Sequence, residues 1–210
     1  VFSFKGSPVP VRPDLRYSYI STWNHFARPG PTLTGTQRIG LLAATRADIT
    51  EQEATNLGLD KSLGWLSDTL YHNPANVDGA MVRTAADATS DPATVGVIAI
   101  VSMLSSIDGM HRALGAELEP LPDPHSGAPT GEIRGDLKRR RTHVPAPPGS
   151  IALTLDLLPS EGAAFQSLFG PQYMTGREMA FDTFLRSPGL NRAQMELVSS
   201  RTSIHNECFY

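Results

Sequence analysis

Apolar residues recur along this chain at three- and four-residue spacings, a period that predicts helices rather than strands. Ile39, Leu41, Leu42, Ala43 and Ala44 form a buried-type run ending near Asp48. A threonine in Leu33-Thr34-Gly35-Thr36-Gln37 can accept from the free N–H groups of its first turn. Asp60 caps a second helix carrying Leu63, Leu66, Leu70 and Tyr71, and a third covers 80–88. The strongest pattern is 91–114. Asp91-Pro92 reads as cap and first-turn proline, two apolar lines run along it, and Gly115 is the stop. Later segments continue the pattern: a short apolar run at 151–158, a helix from Ser160-Glu161 with Phe165, Leu168 and Phe169, another over 176–186, and a last one over 190–210 capped by Asn191. Trp23 and Trp65 read as core anchors. Very little reads as strand, so the expected class is all-α.

Two stretches break the period. Residues 1–19, with Pro8, Pro10 and Pro13, read as an extended arm. Residues 117–150 hold seven prolines and almost no aliphatic period, which predicts a linker or mobile loop between a half at 20–116 and another at 151–210. Lys138-Arg139-Arg140-Arg141 lies in this stretch and reads as a solvated basic run. With 18 basic and 21 acidic residues, net charge −3, the chain lacks a general electrostatic grip on nucleic acid. The apolar run at 95–104 is about half of what a bilayer needs, so no membrane partner is expected. No signal peptide is legible, and a cytoplasmic location is expected. The chain opens on Val1 and closes on Cys208-Phe209-Tyr210, which reads as a fragment. One cysteine excludes an internal disulfide and a multi-cysteine zinc site. The six histidines form no i,i+4 pair, so neither metal nor cofactor is expected.

An internal echo points to the candidate chemistry. Phe26-Ala27-Arg28-Pro29-Gly30 before the helix at 36–44 is written again as Phe184-Leu185-Arg186-Ser187-Pro188-Gly189 before 192–200. At an offset of 156, with one extra residue in the first copy's opening turn, Leu41 meets Leu197 and Leu42 meets Val198. Gly40 then falls on Glu196, and Gln52 on Cys208. Glu196 and Cys208 stand twelve residues apart, about 120° from eclipsed on a straight helix at 100° per residue. A break near Ser203-Ile204-His205-Asn206 would bring carboxylate and thiol together, with Asn206 capping a new turn whose dipole favours the thiolate. His205 reads as a helix-break or surface imidazole and, less readily, as a relay. His111 reads as a core-edge histidine bonded to a carbonyl.

Leu190-Asn191-Arg192-Ala193-Gln194-Met195-Glu196-Leu197-Val198, followed by Asn206-Glu207-Cys208-Phe209-Tyr210, resembles the carboxymuconolactone decarboxylase and AhpD-like alkylhydroperoxidase superfamily. The resemblance implies an all-helical, oligomeric tandem-repeat fold whose first half has lost the motif. It also implies peroxide reduction. Glu196 would relay protons, Cys208 would be the resolving thiol of a pair completed at position 211, and a thiol or dithiol reductant would restore it. Tyr210 stands where some members have histidine, which alters that relay. Termination one residue before the second redox position also fits a selenocysteine codon misread as a stop, with a sequencing edge as the other explanation. A non-catalytic helical oligomerisation scaffold and a decarboxylase-like enzyme remain as alternatives.

Overall fold

In the computed structural model, residues 2–149, 155–174, 176–181, 183 and 190–205 are described, and among them there are helices and no strand. The chain is all-α. Contacts divide it into two units, Val1–Pro171 and Gln172–Tyr210.

The first unit opens with a helix where the sequence reads as an arm: α1 is Pro13–Ala27. Pro13 starts it rather than blocking it, because a first-turn residue has no intrahelical N–H bond to lose. The buried face of α1 mixes Tyr19, Trp23 and Phe26 with Ser18 and Thr22. Those hydroxyls tolerate burial by donating to their own helix, Ser18 Oγ to Leu15 O at 2.8 Å and Thr22 Oγ1 to Ser18 O at 2.9 Å. This polar admixture hides α1's period.

Local capping fixes the next helices. α2, Gly35–Thr45, begins with a reciprocal Thr34–Gln37 capping box, and the short α3, Glu51–Asn56, with Thr50–Glu53. The sequence pattern does not predict α3. Asp60 caps α4, Lys61–His72, through Ser62 N, and Asp78 caps α5, Gly79–Ala88, through Met81 N. α6 is Asp91–Ala113, but its cap is Ser90, whose Oγ accepts from Ala93 N at 3.2 Å, rather than Asp91. Gly115 ends that turn at φ +63°, in the left-handed region open to glycine. α7, Pro159–Phe169, closes the bundle.

α6 is the axis of the core and packs against α1, α2, α4, α5 and α7. Val97, Ala99, Val101, Met103, Leu104 and Ile107 on it are fully enclosed. With 23 residues and a mean hydropathy of 1.7 in its apolar window, α6 is long enough to cross a bilayer. Two thirds of that window (67%) is buried within the fold, as a central core helix requires.

Residues 117–149 form no helix or strand, as their prolines dictate, yet they are strapped onto the first unit. Trp23 Nε1 donates to Pro120 O at 2.8 Å, His125 N to Ala27 O at 2.7 Å, and Thr130 N to Gly30 O at 2.9 Å. Val144 and Ala146 are buried. The contact division falls after Pro171, beyond this strap and beyond α7, rather than inside the proline-rich stretch. Trp65, expected in the core, is 51% exposed on α4, whereas Trp23 is buried as expected.

In the second unit, α8 spans Gly176–Met179, with a turn at Ala180, where the sequence pattern predicts a helix over 176–186; residues 182 and 184–186 of that range lie outside the described residues. α9 is Arg192–His205. Asn191 caps it reciprocally, Gln194 N donating to Asn191 Oδ1 at 3.0 Å and Asn191 N to Gln194 Oε1 at 2.9 Å. The helix runs through Ser203, Ile204 and His205, so the expected break does not begin before 206.

Candidate functional site

α9 carries Glu196, one of the two expected site residues, on its first turns. The carboxylate is half exposed, and its nearest cation is Arg192, one turn back at 3.8 Å. Cys208 lies outside the described residues, so its meeting with Glu196 is not part of the described geometry. Leu197, Val198 and Ile204 on the same helix are 71%, 56% and 66% exposed.

The groups with unusual surroundings lie in the first unit. Glu161, in the first turn of α7, is completely buried. Arg38 of α2, itself buried, forms an ion pair with its Oε1, and His25 Nε2 of α1 meets its Oε2 at 2.8 Å. Arg38 also donates to the carbonyls of Phe26 and His25, which ties α1 to α2. Burial by itself would raise the pKa of Glu161. The hydrogen bond from His25 and the positive charges of Arg38 and His25 outweigh it and hold the carboxyl at about 2. Glu161 is therefore a carboxylate at any ordinary pH. His25 is only partly covered, with 22% of its side chain exposed, and it lines a cleft of about 340 Å³ between α1 and α7.

A second buried cluster joins α2, α4 and α6. Arg46 Nε donates to Asp108 Oδ2 at 2.8 Å and its other nitrogen pairs with Oδ1. Tyr71 donates to Asp108 Oδ2 at 2.5 Å and receives a bond from Arg112 at 2.6 Å. Burial, then the bond to the Asp108 carboxylate, pushes the Tyr71 phenol up to about 12. Every member is satisfied by another, the condition under which a buried polar network holds helices in register. Arg46 also lies over the Trp23 ring, 5.3 Å from its centroid.

His111 is buried, and its Nδ1 meets Ile107 O at 2.8 Å, the carbonyl-bonded arrangement expected for it. Its Nε2 has no hydrogen bond and lies 3.7 Å from Glu119 Oε1. That carboxylate accepts from the backbone of Ser3 and Phe4 and fixes the N-terminal segment over α6. His205 is helical in its backbone. Among the described residues no group of three or more His, Cys, Asp or Glu could hold a metal ion.

Sequence reasoning missed His25, Arg38 and Glu161 as a set. One signal was present: Arg38 sits at i, with Leu41, Leu42 and Thr45 at i+3, i+4 and i+7, and all four are buried. A cation inside an apolar stripe demands a buried anion, but nothing local says that it stands 123 residues later. Comparison of the chain with protein-family models, with curated proteins and with solved structures finds no match.

Proposed function

We propose that this chain is a thiol oxidoreductase of the alkylhydroperoxidase-like class that reduces hydroperoxides. The observation that carries the reading is α9: an asparagine-capped helix presents the half-exposed Glu196 twelve residues before the chain's single cysteine. The all-helical fold is compatible with it. In the proposed cycle a second thiol or selenol, paired with Cys208, attacks the peroxide as its anion. A bond to oxygen forms, the O–O bond breaks, and the alcohol leaves with a proton relayed by Glu196. Cys208 then displaces water from the oxidised partner, and a dithiol reductant reopens the resulting bond by exchange. Such chemistry suits a reducing, cytoplasmic setting.

Peroxide consumption by the protein with a dithiol reductant is the test. Cys208→Ser is expected to stop turnover, and Glu196→Gln to slow it by about 10²–10⁴-fold, the range for loss of a positioned proton-transfer group. Rates equal to the parent in both variants would overturn the reading.

A second reading, a non-catalytic oligomerisation scaffold, is favoured by the bare apolar side chains Leu197, Val198 and Ile204 on α9. Sedimentation distinguishes it: a scaffold keeps its oligomer in Cys208→Ser and loses it in Leu197→Lys, with no peroxide consumed by either.

A further inference from the structure

Two helical stripes with the same spacing flank the cleft beside Glu161. α1 presents Ser21, Asn24 and His25 at i, i+3 and i+4, and Arg28, the extended C-cap residue just past its end, completes that wall. α7 presents Ser160 and Ser167 at the ends of its stripe, with two alanines between them. The alanines leave the space open, and the functional groups come mainly from α1. Small residues alone would make only a groove between helices. What distinguishes this groove is the buried carboxylate behind one of its walls.

Glu161 is anionic and sealed from water, so His25 Nε2 is the nitrogen that carries the proton toward it. When that ring is neutral its lone pair is on Nδ1, which no hydrogen bond occupies among the described residues. Arg28 is exposed at the cleft, with no acidic partner among the described residues. Asn24 and the serines add neutral hydrogen-bond donors. A base backed by a buried carboxylate, a free guanidinium and donors for a developing oxyanion are the components of proton abstraction next to a carbonyl.

We propose that the α1–α7 cleft is a reactive site for small oxo-carboxylates, in which Arg28 binds the carboxylate and His25 removes a proton from the carbon beside the carbonyl. The C–H bond breaks, its electron pair moves onto the carbonyl oxygen as an enolate, and the proton goes to Nδ1. Glu161 balances the imidazolium charge. Return of the proton to carbon closes the cycle with no other reactant. Glu161 and Arg38 are positioning residues: they act through His25 and do not touch the ligand. All of these residues lie in the first unit, so the proposal is independent of the chemistry assigned to Cys208.

The test is exchange of the pyruvate methyl protons for deuterium, followed by NMR in D₂O with the whole chain. Exchange at least about tenfold faster than with an equal concentration of free imidazole is expected. His25→Gln should reduce it to the buffer rate. Arg28→Gln, a surface change that leaves the fold intact, should raise the half-saturating pyruvate concentration with little change at saturation. In Glu161→Gln, ¹⁵N spectra of the His25 ring should lose the single Nε2–H tautomer, an effect that a purely structural role would not produce. Exchange by the parent no faster than by His25→Gln would overturn the proposal, as would an Arg28→Gln profile identical to the parent's. So would a parent ring with Nδ1 protonated and Nε2 bare.

Discussion

α2 and α9 are built from matching text and end in opposite environments. Each opens with a reciprocal cap, Thr34 with Gln37 and Asn191 with Gln194, and each carries an adjacent apolar pair soon after. Leu41 and Leu42 are buried at 1% and 0%, whereas Leu197 and Val198 are 71% and 56% exposed. The caps also explain the extra residue in the first copy: Leu41 is the seventh residue of α2 and Leu197 the sixth of α9. A cap fixes where a helix starts, and the residues around the helix decide whether its apolar face is covered. α2 has α1, α4 and α6 against it. The comparison teaches that matching local sequence does not decide enclosure: the copy that carries Glu196 is the less enclosed helix.

The largest expected effect that sharpens this contrast is in the core. Leu104→Ala, at a fully enclosed position, should cost about 2–5 kcal/mol in denaturant unfolding. Leu197→Ala, on the bare face of α9, should fall within about 0.5 kcal/mol of zero. A comparable loss in both would show that α9 is covered in solution.

Next comes the buried charge between α1, α2 and α7. Arg38→Met leaves Glu161 without its main cation and should cost about 3–5 kcal/mol. The same carboxylate makes stability pH-dependent. Its pKa is depressed from 4.5 to about 2 in the fold, so its contribution is present above 4.5 and is lost as pH falls toward 2. Unfolding curves between pH 6 and pH 2 should show that loss in the parent and a much flatter dependence in Glu161→Gln. Equal slopes would contradict the pairing.

Smaller effects follow at the helix starts. Thr34→Ala should cost about 1 kcal/mol of global stability, whereas Asn191→Ala should reduce only the helical circular dichroism of α9. A global loss from Asn191→Ala would tie the two units into one cooperative transition. The smallest effect belongs to a titration. The Tyr71 phenol, raised to about 12, should ionise well above the ordinary tyrosine value of 10 in an alkaline absorbance titration, and Asp108→Asn should bring it down.

Where the sequence was legible, local chemistry was sufficient. α4, α5 and α6 follow the expected periods, and the Asp60, Asn191 and Gly115 boundaries are where their side chains or backbone freedom put them. α1 was hidden because its buried face includes hydroxyls whose bonds are made within the helix, and α3 because six residues hold too little period. Trp65 shows the limit of reading burial from residue type, since a large apolar ring can stand at the surface of a helix. Glu196 was legible as a candidate by its spacing from Cys208 and, taken alone, as a surface carboxylate, and its half-exposed side chain agrees with the latter. The His25–Glu161–Arg38 set was not legible at all as a site.

The amino-acid order alone determined that this protein is helical, where most of its helices begin, and that 117–149 is irregular, because periodicity, caps and proline act within a few residues. The tertiary structure decided that the irregular stretch is a strap, which apolar faces are enclosed, and that an arginine, a glutamate and a histidine from three helices share one buried charge. Those outcomes depend on groups more than a hundred residues apart along the chain, and only chain folding brings their charges close enough, and far enough from water, to bind one another.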